Sequence, residues 1–131
     1  VSLVSWFTQT SFEPCLVVLG MHREGEAFKG VKETGVLAVS LLGAGQKDLV
    51  KPFFKHVAVA DGKAGPLAVT HGEATGCPLL PDLPASLELR SRQVLELGDH
   101  ATVVFEVVDA HVHHKDLGPL DHKAAGLHYA G

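Results

Sequence analysis

The sequence predicts a mainly β domain, a closed antiparallel barrel carrying two short helices. Three observations lead there. About five or six stretches read as strands, only two short segments carry helical periodicity, and Pro or Gly turns separate the apolar runs. With 131 residues, 46% hydrophobic and 20% charged, the chain is read as one domain over residues 1–131, large enough for its own core. No repeat of roughly 20 to 50 residues interrupts that reading.

Taken in order, Ser2 to Thr8 and Cys15 to Met21 are strands, joined through the polar corner Thr8-Gln9-Thr10-Ser11 and a turn at Glu13-Pro14. His22-Arg23-Glu24-Gly25 is the loop that ends the second strand. Glu26 to Thr34 is a helix, with Ala27, Phe28 and Val31 on one face and Gly35 as its C-cap. Val36 to Leu42 is a buried strand. A second helix runs from Gln46 to Phe54, where Leu49, Val50 and Phe53 share a stripe and Pro52 kinks it or ends it early. From His56 to about Pro84 the chain is rich in Gly and Pro, a long excursion suited to a flap or a subunit contact. Ser86 to Leu97 and Ala101 to Val112 are strands joined by Gly98-Asp99-His100. In the first of them Leu87, Leu89, Ser91 and Gln93 are expected to face inward, and Glu88, Arg90 and Arg92 outward.

Composition excludes several classes of function. A net charge of -4, a pI near 6.1 and no basic cluster argue against nucleic acid as a partner. The longest apolar run falls far short of the ~18 residues of a membrane span, and no signal-peptide pattern opens the chain. Cys15 and Cys77 make no disulfide framework and read as reduced thiols of a cytoplasmic protein. Nine histidines are present. His111 and His113 share a strand face, a spacing that permits a metal, yet no Cys or Glu pair completes a motif, and no metal is assigned. No nucleophile elbow, phosphate loop or dinucleotide-type glycine motif follows a strand.

The stretch Trp6-Phe7-Thr8-Gln9-Thr10-Ser11-Phe12-Glu13-Pro14 resembles the N-W-x-T-Q-x-S-F-x-P-P run of the flavin reductase-like, FMN-binding split-barrel family, which includes flavoredoxin and the flavin modules of diflavin flavoproteins. The resemblance continues through Gln46 to Leu49, Phe53 to Lys55, Gly76 to Leu80, Gly98 to His100, Glu106 to Val108 and Gly126 to Tyr129. Ser5, Cys15, His22, Gly25 and Leu127 stand where the family pattern has Asn, Pro, Lys, Ser and Trp. Relatives carry a short helix and a strand before this point, so an N-terminal strand is expected to precede Val1.

The resemblance implies an antiparallel Greek-key split barrel, FMN as cofactor, NAD(P)H as transient co-substrate, and a homodimer with flavin between its subunits. Hydride would pass from the nicotinamide to FMN, and electrons to a further acceptor. Cofactor contacts are expected from Trp6 against the ring, Gln9 at its polar edge, Thr8 and Ser11 to ribityl or phosphate oxygens, and His22 and Arg23 to the phosphate. His100 is read as a turn residue oriented by Asp99. Two alternatives stand beside this reading. One is an FMN-binding electron-transfer module without NAD(P)H activity, the other a flavin-free barrel with a His-rich metal-binding end.

Overall fold

The computed structural model describes residues 1–121 and Gly126. Alternating burial organises its centre. In β2 (Leu16–His22) Val17, Leu19 and Met21 point to one side and are buried, while Leu16, Val18 and Gly20 point to the other. β10 (His100–Val112) runs antiparallel to it and sets Phe105, Val103 and Ala101 opposite those buried residues. With β1 (Phe7–Ser11), β3 (Val36–Leu41) and β9 (Ala85–Leu95), the order is β1-β2-β10-β9-β3. The helix α1 (Glu26–Thr34) lays Phe28 and Val31 on the buried face. Gly35 ends it in the left-handed region at φ 72°, its N–H donating to Val31 O, as the sequence predicts.

The mainly β antiparallel class is therefore as expected. Among the described residues, however, no ladder joins β1 to β3, so both remain edges and the predicted closure is not seen. A largely apolar cavity of about 730 Å³ opens between the N-terminal segment, α1 and β3, with Val4, Leu19, Phe28 and Val39 in its lining.

Three further departures have local causes. The first predicted strand shortens to Phe7–Ser11 because the residues before it bond elsewhere: the Val1 ammonium donates to Val57 O at 2.7 Å, and Leu3 N–H to Phe53 O at 3.0 Å. Val1 and Leu3 thereby pack on a second small core of Phe53, Leu67, Leu80 and Leu83. The second predicted helix becomes two 3₁₀ turns, Lys47–Leu49 and Lys51–Phe54, since Pro52 has no N–H to continue a helical ladder. The irregular segment holds five short strands instead of open loop. β4 (Val59–Ala60), β5 (Lys63–Ala64) and β6 (Leu67–Ala68) form one small sheet, and β7 (Thr70–His71) with β8 (Pro78–Leu79) another.

A fifth departure corrects the predicted faces of β9. Glu88, expected in solvent, is 0% exposed, because Gly72 and Thr75 cover the side of the sheet away from α1. Gln93, expected inside, is exposed, and a register shift against β10 between Val104 and Phe105 changes the phase of the alternation there. Among the described residues no helix is long and apolar enough to cross a membrane. Leu127, His122 and His128 lie outside the described residues.

Candidate functional site

The face of the β2–β10 pair turned away from α1 carries Val18, Gly20 and His22 beside Val104, Thr102 and His100. Gly20 is needed here. A Cβ at this position would meet Trp6 Cε3 at 2.7 Å, so the indole lies directly over the glycine. Gly20 N–H also donates to Trp6 O at 3.0 Å. The indole ring lies 4.8 Å from His100, tilted by 56°, and His22, the register partner of His100, meets it edge-on at 5.2 Å. Trp6 keeps 51% of its surface exposed. A half-open aromatic surface with two imidazoles beside it is suited to a flat ring.

The loop after β2 adds charge. Arg23 donates from Nη1 to Gly98 O at 3.2 Å and pairs through Nε with Glu96 at 3.4 Å; Lys32 of α1 reaches the same carboxylate at 3.5 Å. His22 Nδ1 accepts from Glu24 N–H. The α1 N-cap is Gly25, with no side-chain cap bond, so the first-turn N–H groups and the Arg23 guanidinium are donors of the kind an anion takes. His100 Nδ1 lies 2.9 Å from Asp99 Oδ1, and the imidazole holds the Asp99 carboxyl below its ordinary value.

The structure thus brings Trp6, His22 and Arg23 together at one end of β2. Thr8 follows on the same face, opposite Val18. Ser11 sits opposite Leu16, six residues from His22 and so roughly 20 Å away along the strand, too far to share one phosphate with Arg23. Gln9 is turned into its own corner, donating to Ser11 O at 3.1 Å.

A second polar centre escaped the sequence reading. Glu88 Oε1 accepts from the Thr75 N–H at 2.9 Å and from its hydroxyl at 2.8 Å, while Oε2 lies 2.7 Å from His111 Nε2. Asp109 Oδ2 is 3.5 Å from the same nitrogen. Burial pushes the Glu88 carboxyl up, but the bonds from His111 and Thr75 outweigh it and hold it below its ordinary value. The Glu88 hydrogen bond in turn raises His111 against the opposing effect of burial. His113 stacks on His111 at 6.2 Å but bonds Ser86 at 3.2 Å, and burial lowers its pKa. The signal available in the sequence was the Asp109-x-His111 pair; Glu88 was hidden by its place in an apparent outward series.

A family model described as a flavin reductase like domain matches residues 2–131. A protein of Aeropyrum pernix described as uncharacterized is 36% identical over 103 residues, covering 75% of this chain and 38% of its own length. An NADH:FMN oxidoreductase of Rhodococcus qingshengii is 26% identical over 110 residues, with 84% and 56% covered. The chain therefore spans less than two thirds of either relative. Among solved structures, a Streptomyces globisporus NADH:FAD oxidoreductase in complex with NAD and FAD fragments superposes with a TM-score of 0.77 at 25% identity, over 90% of this chain and 69% of that one. Flavoredoxin of Methanosarcina acetivorans shares the fold, with a TM-score of 0.75 at 22% identity over 95% and 68%.

Proposed function

Because this chain belongs to the flavin reductase-like domain family, we propose that it binds FMN on the outer face of the β2–β10 pair and functions as an NAD(P)H-dependent flavin reductase. The observation that carries the placement is the half-exposed Trp6 ring seated on Gly20 next to His22, Arg23 and His100. These residues fit the group: an aromatic surface for a ring, a guanidinium and uncapped helix N–H groups for a phosphate, and an exposed Thr8 hydroxyl between the two strand ends.

When bound, the flavin would supply the redox chemistry, taking up the hydride that a nicotinamide nucleotide brings. The protein's part is placement. Arg23 and His22 hold the phosphate end, and Arg23 exchanges part of its pairing with Glu96 for the dianion. Trp6 covers the ring and keeps water from one side of it. Thr8 lies next along the strand on the Trp6 face, where its hydroxyl meets a polar edge of the ring, while Gln9, turned into its own corner, and Ser11, opposite Leu16, take no part. A homodimer completes the site, a second copy covering the exposed Trp6 ring and the exposed Leu95 and Leu97 of the β9–β10 end.

Anaerobic addition of NADH or NADPH to the FMN-loaded protein tests the reading. Loss of the flavin's visible absorbance with either nucleotide is the expected result. Flavin that stays bound and oxidised with both would make the chain an FMN carrier without reductase activity.

A further inference from the structure

The polar centre at the far end of β10 lies apart from the Trp6, His22 and Arg23 end of the proposed flavin face. His111 is eleven residues from His100 along the strand, roughly 35 Å away. A register shift between Val107 and Asp109 sets Asp109 directly opposite Glu88, and His111 opposite Ser86. Two carboxylates facing each other across a ladder repel. Among the described residues neither has a Lys or Arg ion-pair partner, and His111 alone bridges them. Glu73 adds a further negative charge near His111.

The three side chains are also held in place. Thr75 fixes Glu88 Oε1 with two donors, which turns Oε2 toward His111. Gly72 closes the space behind the carboxylate: a Cβ there would lie 2.0 Å from Oε1. His113, tied to Ser86, stacks parallel to the His111 ring at an interplanar angle of 5°. A carboxylate whose second oxygen is already bonded, and an imidazole whose plane is fixed, are the outer-shell features that orient metal ligands.

We propose that Glu88 Oε2, Asp109 Oδ2 and His111 Nε2 bind a first-row divalent transition ion, with solvent completing the coordination. The three atoms lie within 4.8 Å of one another. Two tetrahedral ligands at about 2.1 Å from an ion are about 3.4 Å apart. The Asp109–His111 separation of 3.5 Å already matches, and the Glu88–His111 contact of 2.7 Å needs to open by roughly 0.7 Å as the ion replaces the shared proton. One imidazole with two carboxylates suits zinc, iron or manganese, whereas calcium prefers an all-oxygen set. Asp109 and His111 are partly exposed, which leaves an entry path. The bound ion would clasp the segment around Thr75 to β9 and β10.

The full chain, stripped with chelator, is titrated with Zn²⁺ by calorimetry and its metal content measured after gel filtration. One Zn²⁺ retained per chain is expected, with affinity falling at least tenfold in Asp109→Asn and in His111→Ala. Asp109 is exposed, so its variant keeps the fold, which an unchanged metal-free Tm verifies. A double variant His122→Ala/His128→Ala keeps the site, and Co²⁺ at the site gives a visible spectrum that Asp109→Asn alters. No retained zinc overturns the proposal, as does retention unchanged in Asp109→Asn and His111→Ala or abolished in the histidine double variant.

Discussion

Replacing Gly72 with alanine tests how Glu88 is kept buried. The new Cβ would stand 2.0 Å from Glu88 Oε1 and 2.2 Å from its Cδ. Both distances are far inside contact, and the carboxylate has nowhere to retreat, being 0% exposed. It must leave Thr75, which costs the N–H and hydroxyl bonds at 2.9 and 2.8 Å. Hydrogen bonds to a charged group are worth about 1.5–3 kcal/mol each. The smaller backbone entropy of the unfolded alanine chain offsets about 0.4–1 kcal/mol. The net loss is roughly 2–5.6 kcal/mol. At about 2.1 cal/mol/K per residue, this 131-residue chain loses roughly 3.6 °C of Tm per kcal/mol, a fall of about 7–20 °C. Urea unfolding and a thermal scan read it, with Gly118→Ala as control because nothing lies within 4 Å of that position. A Gly72→Ala protein within ~0.5 kcal/mol of the parent would refute the steric reasoning.

Other outcomes follow from the same structure. Gly30→Ala in α1, where a Cβ meets nothing within 4 Å, should stabilise the protein by about 0.5–1 kcal/mol in urea unfolding; a loss of stability contradicts the open space beside that position. In chelator-treated protein the Glu88–His111 pair should contribute stability over a bounded pH window. The His111 part is fully present below its ordinary 6.5 and lost as pH rises through its raised value; the Glu88 part is present above 4.5 and lost as pH falls through its lowered value. Urea midpoints across that range should flatten on the alkaline side in His111→Ala, and an unchanged profile would show that the pair does not control it. Arg23→Gln should weaken FMN by about 1.5–3 kcal/mol in equilibrium dialysis and leave riboflavin binding nearly unchanged, whereas equal losses for both ligands would place the phosphate elsewhere. Gly20→Ala should displace the Trp6 indole outward, shifting its emission and weakening flavin binding; an unaltered spectrum would contradict the packing of the ring on Gly20.

Much of the scaffold was readable from period and punctuation. β2 and α1 announce themselves through the spacing of Val17, Leu19, Phe28 and Val31, and Gly35 marks the stop. The limits are equally physical. Alternation says which residues share a face, but not whether a distant loop covers that face, so Glu88 looked solvated until Gly72 and Thr75 were placed over it. The strand expected from Ser2 gave way to non-local bonds from Val1 and Leu3 to Val57 and Phe53, which no local pattern encodes. Pro52 was visible as a breaker, yet the two 3₁₀ turns that replace the helix depend on packing around Phe53. At the candidate site, the family resemblance and the loop charges nominated Trp6, Thr8, Gln9, Ser11, His22 and Arg23 as a set. Strand register then separated Ser11 from Arg23 and brought in His100.

Trp6 is the only tryptophan in the chain, so its fluorescence during an FMN titration reports directly on the proposed flavin face. Quenching that saturates at one FMN per chain is the predicted result. Flavin that binds without quenching Trp6, or fails to bind at all, would contradict the placement of the cofactor on the Trp6, His22 and Arg23 end of β2.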